Sequence, residues 1–148
     1  MNQTVNSASD NPLVGTWQML DWFNVDETGQ KHYPLGEDAT GYISYSVDGF
    51  VFVHLMAKDR ALYALNDPFG GTAEEDSAAI KSQITYAGPY TYKGGEVVHH
   101  VTHSSCPNWV GSKQVRQIRF EGDQLELSAG GALFQGKAVT AYVIWKRA

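Results

Sequence analysis

His99, His100 and His103 stand close together in Val97 to Ser105, a segment that reads as one β-strand. Side chains alternate between the faces of a strand, so His99 and His103 share a face and His100 takes the other. Metal ligands on one strand normally sit at i and i+2, about 6.6 Å apart, whereas this pair is about 13 Å apart at the same rise. With neither a His-x-His nor a Cys-x-x-Cys in the chain, no metal site is expected unless a neighbouring strand brings His54 alongside. The pair offers proton transfer instead, because an imidazole of pKa about 6.5 gains and loses a proton near neutral pH. Val97 and Val101 belong to the same set, which makes it the more apolar face and points His99 and His103 inward.

The same division of Lys113 to Phe120 groups Arg116 with Gln114, Ile118 and Phe120. A buried arginine on an apolar face is costly unless it meets an acid or an anionic ligand. Arg116 is therefore a candidate clamp for a carbonyl or oxyanion, with His99 or His103 as the general acid/base. Two structural roles compete for Arg116: a buried ion pair, or closure of one end of the fold beneath Trp17. Tyr86 and Tyr90 share a face of their strand, and so do Phe50, Phe52, His54 and Met56, while Tyr42 and Tyr45 take opposite faces. Rings of this kind suit a flat, oxygenated, largely apolar molecule. The expected substrate-binding set is Tyr86, Tyr90, Tyr45, Phe52 and His54, with Asn108 and Trp109 at the rim in a Pro-containing turn. Cys106 has no evident base or partner. A Gly-x-Ser-x-Gly elbow, a phosphate-binding loop and a dinucleotide fingerprint are all missing, so no cofactor is expected.

Strands must position these residues, and the chain supplies them. Its 148 residues are one domain's worth, read as residues 12–148 behind an Asn/Ser-rich, disordered arm at 1–11. A lone cysteine excludes a disulfide framework, and a net charge of −5 argues against a nucleic-acid groove. No apolar run approaches the ~20 residues of a membrane span. The arm carries neither Lys nor Arg and no apolar core, so it does not read as a signal peptide, and a cytoplasmic location is expected. Eight Tyr, six Phe and four Trp are more aromatic rings than core packing alone asks for.

Strands are expected at Thr16–Asn24, Gly41–Val47, Phe50–Met56, Thr85–Tyr92, Val97–Ser105, Lys113–Phe120, Gln124–Ser128 and Ala138–Lys146. Asp48-Gly49, Lys93-Gly94-Gly95-Glu96 and Glu121-Gly122-Asp123 supply hairpin turns between them. Thr72 as an N-cap, followed by Glu74 and Glu75, predicts a short helix over 73–82, between the third and fourth strands. That long connection is placed to serve as a lid or plug, or simply to cover the surface. Sequential antiparallel strands of this kind make a barrel or a sandwich.

Gly15-Thr16-Trp17 is accompanied by Tyr33-Pro34-Leu35-Gly36, Gly41-Tyr42-Ile43-Ser44-Tyr45, Asp48-Gly49, Tyr86-Ala87-Gly88-Pro89-Tyr90, Val98-His99-His100-Val101, Pro107-Asn108-Trp109-Val110-Gly111, Gln114-Val115-Arg116 and Gly122-Asp123-Gln124-Leu125-Glu126-Leu127, and together these motifs carry a family likeness. From Leu13 to Lys146 the chain resembles the small bacterial and fungal lipocalin-like domain family. Pro89, His103, Ser105 and Cys106 depart from its pattern. The resemblance implies an all-β, eight-stranded, up-and-down antiparallel barrel around a central cavity. It also implies a cofactor-free enzyme of secondary metabolism that cyclises, isomerises or dehydrates a small hydrophobic or aromatic molecule, a Diels–Alder cycloaddition among the candidates. The alternative is a non-catalytic carrier of such a ligand. A closed barrel has no free edge strand, so a homodimer would have to join faces or ends.

Overall fold

The computed structural model describes residues 11–148. The strands are β1 (Gly15–Val25), β2 (Lys31–His32), β3 (Thr40–Tyr45), β4 (Phe50–Met56), β5 (Gln83–Tyr92), β6 (Glu96–His100), β7 (His103–Ser104), β8 (Lys113–Glu121), β9 (Gln124–Phe134) and β10 (Lys137–Arg147), with one α-helix, α1 (Ala73–Lys81). Eight of the strands hydrogen-bond in the ring β1-β3-β4-β5-β6-β8-β9-β10, and β10 pairs back onto β1 to close it. Every pairing is antiparallel. The short β2 and β7 add to β1 and β5 without entering the ring.

The expected eight-stranded barrel is therefore present, with one correction in its order. The helix follows the fourth strand, β4, rather than the third, because the two-residue Lys31–His32 pairing also enters the count. Thr72 and Glu75 cap α1 reciprocally, each side chain accepting from the other's backbone N–H. Arg60 binds Ser82 Oγ at 2.8 Å and the Ala79 carbonyl at 2.9 Å, which ties the long β4–β5 connection to the helix. α1 buries no residue of its own, so it covers surface. The disordered arm expected at 1–11 lies outside the described residues except for Asn11, which is buried.

Strict period-2 alternation builds most of the interior. Ile43 and Tyr45 of β3, Val51, Val53 and Leu55 of β4, Tyr86 and Tyr90 of β5, Val97 and His99 of β6, and Leu125 and Leu127 of β9 are all buried. Besides a register shift in the β9–β10 pairing between Val139 and Ala141, two irregularities bear on the site. In β1, Met19 pairs with Trp145 but Asp21 pairs with Ile144, so one extra residue bulges outward. Beyond the bulge the inward set becomes Trp22 and Asn24 instead of Asp21 and Phe23. The second break divides the expected strand Val97–Ser105. Tyr90 pairs with His99 but Ala87 pairs with His103, again one residue too many. Gly88 lies opposite this crossing, where a Cβ would collide with the His100 carbonyl oxygen.

One end of the barrel is closed. The Trp17 indole N–H donates to the Leu13 carbonyl at 2.9 Å, and the Arg147 guanidinium lies 3.9 Å over its ring. Arg147 also donates to the carbonyls of Val14 at 2.6 Å and Pro12 at 2.8 Å. Asn11 accepts from the Leu13 N–H at 2.9 Å and donates to the Tyr90 hydroxyl at 3.0 Å. Closure beneath Trp17, one of the roles weighed for Arg116, thus belongs to Arg147.

Candidate functional site

The other half of the barrel holds a cavity of about 430 Å³. Its walls are mostly apolar: Ile43, Val53, Leu55, Ile84, Leu127 and Val143, with the rings of Trp22, Trp109 and Trp145. Gly130, Gly131 and Leu133 of the long β9–β10 hairpin border it as well. No residue of the β4–β5 connection or of α1 lines it, so the helix is not its plug.

Polar groups enter the lining at a few points. Tyr86 comes from β5, Lys113, Gln114 and Arg116 from β8, Asn24 from β1 and Trp145 from β10. In the ring of eight, β5 and β10 stand four strands apart, so Tyr86 and Trp145 occupy opposite walls. Asn24 is 5% exposed and Trp145 is 2% exposed, yet neither Asn24 Oδ1 nor Trp145 Nε1 has a hydrogen-bond partner among the described residues. Unpartnered buried polar atoms are uncommon, since each forfeits about 1–3 kcal/mol of hydrogen bonding. Asn24 pairs with Ala141, four residues along β10 from Trp145, which separates the two positions by about 13 Å of strand.

Arg116 lines the cavity but forms no ion pair among the described residues. It donates to Gln114 Oε1 and to the Val115 carbonyl, each at 3.2 Å. The buried ion pair that competed as a role for Arg116 is absent among the described residues, and the guanidinium lies close enough to Tyr86 and His99 to act on both electrostatically.

His99 is inward and buried, 1% exposed, but it stands behind Tyr86 and does not line the cavity. Both ring nitrogens are engaged: Nε2 with the Tyr45 hydroxyl and Nδ1 with the Tyr86 hydroxyl, each at 2.7 Å. Burial, with a further contribution from the Arg116 charge, drives its pKa down to about 3, so the ring is neutral near pH 7. Burial also raises the pKa values of Tyr45 and Tyr86. The group is a neutral Tyr–His–Tyr chain, not a histidine poised to take a proton directly.

Several expected site residues lie elsewhere. His103 is exposed, because the extra residue after His99 reverses the alternation, and it pairs with Ala87 on the outer face. Phe52 is 55% exposed and His54 is exposed too, because the aliphatic set Val51, Val53 and Leu55 takes the inside of β4. Phe52, His54 and His103 meet in a shallow groove on the outside of the barrel. Tyr90 is buried at the closed end, donating to the Ser46 carbonyl at 2.8 Å, and Tyr45 reaches the site only through His99. Within the turn Pro107–Trp109, Trp109 lines the cavity and packs edge-on to Tyr86 at 5.6 Å, while Asn108 is exposed and outside the lining.

Asn24, Trp22 and Trp145 were not among the expected site residues. The Val139, Ala141, Val143, Trp145 set is apolar at period 2 and points to Trp145. No comparable pattern marks Asn24, which turns inward only through the β1 bulge.

Metal-ligating clusters are absent among the described residues, and no helix in them is long and apolar enough to cross a membrane. The family model described as "Lipocalin-like domain" matches residues 14–148. The chain is 33% identical over 86 residues to a protein of Aspergillus oryzae named "4'-hydroxy-3'-methoxypropiophenone carrier protein ppsC", covering 52% of this chain and 78% of that one. A crystal structure of lipoprotein YedD from Klebsiella pneumoniae matches with a TM-score of 0.38 at 11% identity, over 86% of this chain and 69% of that one.

Proposed function

Because the chain belongs to the lipocalin-like domain family, we propose that its barrel binds and carries a small, flat, oxygenated aromatic molecule. The observation that carries this reading is the cavity of about 430 Å³ whose mostly apolar lining includes two buried, unpartnered polar atoms, Asn24 Oδ1 and Trp145 Nε1. An apolar pocket with a few convergent polar groups is what a small-molecule site requires. The name of the Aspergillus oryzae relative specifies an aromatic ketone bearing hydroxyl and methoxy oxygens, and supports the same ligand class here.

A catalytic reading, in which the barrel cyclises, isomerises or dehydrates its ligand or guides a Diels–Alder cycloaddition, retains one supporting observation. Arg116 and Tyr86 border the same cavity and could hold a developing oxyanion. His99 gives that reading little support as a general base, since both nitrogens are occupied and its pKa is near 3. Carriage is therefore the better-supported function.

Titration calorimetry with 4'-methoxyacetophenone, paired with quenching of tryptophan fluorescence, tests the carrier reading. Trp22, Trp109 and Trp145 line the cavity, so an occupant should quench them. Stoichiometric binding with a micromolar Kd is expected. Saturation without quenching, or no heat of binding at all, would refute it.

A further inference from the structure

Taking the carrier reading as its basis, we propose that the ligand is a carbonyl compound whose carbonyl oxygen is received by the hydroxyl proton of Tyr86, held toward the cavity by Tyr45 and His99 as positioning residues.

The Tyr45 hydroxyl is buried, and its one hydrogen-bond partner among the described residues is His99 Nε2 at 2.7 Å. A buried hydroxyl has one proton to donate, and this one has no other acceptor. Tyr45 therefore donates to Nε2, and the neutral imidazole must carry its single proton on Nδ1. That proton is donated to the Tyr86 oxygen, also at 2.7 Å. Tyr86 is the acceptor in that bond, which leaves its own proton uncommitted. The neighbouring Arg116 guanidinium has no acceptor site to take it. The remaining direction is the cavity that Tyr86 lines. The reverse arrangement, with Tyr86 donating to Nδ1 and Nε2–H donating to Tyr45, strands the Tyr45 proton in the core, where neither protein nor ligand reaches it.

The direction of donation selects the ligand. Tyr86 presents an O–H, Arg116 presents N–H groups, and on the opposite wall Trp145 presents an indole N–H that can only donate. A cavity with donors on both walls fits a molecule with acceptor oxygens at both ends. A carbonyl faces Tyr86, and an ether, hydroxyl or second carbonyl oxygen faces Trp145. Asn24, beyond Trp145 along the same wall, can serve a hydroxyl at that far end. Burial of His99 keeps the imidazole neutral, and the Tyr45 hydroxyl then sets which nitrogen carries its one proton and hence the direction of donation.

Two measurements decide. Nitrogen-15 NMR of His99 in the ligand-free protein should find the proton on Nδ1; a proton on Nε2 overturns the proposal. The infrared carbonyl band of bound 4'-methoxyacetophenone should move to lower frequency than in an apolar solvent. Tyr86→Phe should abolish that shift, whereas Trp145→Phe should weaken binding severalfold and leave the carbonyl band in place. Tyr45→Phe, which keeps Tyr86 but frees the tautomer, should shrink the shift. A probe that binds with an unshifted band, or a shift that survives in Tyr86→Phe, refutes the role of Tyr86 while carriage stands. Failure of the probe to bind the native protein removes the carrier reading and this proposal together. Should Tyr86→Phe not fold, the tautomer and the native band still decide.

Discussion

The two ends of this barrel share strands but treat their polar atoms differently. At the closed end the Trp17 indole, the Asn11 amide, the Tyr90 hydroxyl and the Arg147 guanidinium all have partners within the chain. In the open half, Asn24 Oδ1 and Trp145 Nε1 have none among the described residues, and Arg116 meets no acid. Two indoles make the contrast plain. Trp17 and Trp145 are both nearly fully buried, yet only the first uses its N–H within the fold. Folding completes the closed end and leaves the open half's hydrogen bonds for something that arrives later.

The largest effect should come from breaking the closed end. Trp17→Ala removes an indole in contact with Arg147 and Phe120 and strands the Leu13 carbonyl. Large-to-small changes of this kind cost about 3–5 kcal/mol. Urea denaturation should register that loss, while the folded fraction keeps its affinity for 4'-methoxyacetophenone. A loss below about 1 kcal/mol would mean that Trp17 is not what seals the barrel.

Next in size is the pH response of the boundary between the two halves, where His99 sits. Its pKa in the folded protein is about 3, against an ordinary value of 6.5. Between these values the unfolded chain binds a proton that the folded one refuses. Unfolding free energy should therefore fall as pH drops from about 6.5 toward 3, by at most about 1.4 kcal/mol per pH unit. Asp26 acts in a lower window. The Thr28 hydroxyl and then His32 hold its carboxyl well below the usual range, so its contribution is present above about pH 4 and lost only below it. His99→Gln, which cannot titrate, should flatten the profile between pH 6 and 4; an unchanged slope would assign the acid sensitivity to another group.

This contrast was only partly legible in the sequence. The hairpin turns and the alternating strands, being local signals, specify sequential antiparallel strands in a barrel or a sandwich, and the family resemblance carried by Gly15-Thr16-Trp17 and the other motifs supplies the barrel and the place of Trp17 in it. Tyr86, Trp109 and Arg116 reached the cavity through local signals too: regular alternation, or a Pro-fixed turn, carries them there. His103 and Asn24 did not follow, because each lies beyond an inserted residue that reverses the alternation, and a bulge has no strong sequence mark. Gly88 hints at the His103 crossing, since a small residue lets the two backbones approach. Phe52 and His54 went wrong differently. Both faces of β4 are apolar enough to be inside, and the aliphatic set won because β-branched and aliphatic chains pack the narrow interior better than a set containing a histidine. The role of His99 was invisible for another reason: spacing brings a histidine inward, but only tertiary structure places a tyrosine hydroxyl on each of its nitrogens.

The smallest expected change in stability is also the sharpest test of the comparison. Asn24→Leu replaces an amide whose oxygen has no partner with an apolar group of similar volume. Such exchanges are close to neutral, or stabilising by about 1 kcal/mol, because no hydrogen bond within the fold is lost and a desolvated acceptor is removed. The same logic applied at the closed end gives the opposite sign: Asn11→Leu takes away two real bonds, to Leu13 and Tyr90, and should cost about 1–2 kcal/mol. The two substitutions make one experiment, with the same residue type, the same replacement and nearly the same burial, read by urea denaturation and by calorimetry with 4'-methoxyacetophenone. Asn24→Leu should spare stability and alter affinity; Asn11→Leu should lower stability and spare affinity. If both destabilise alike, Asn24 is bonded within the fold after all, and the open half is as self-sufficient as the closed one.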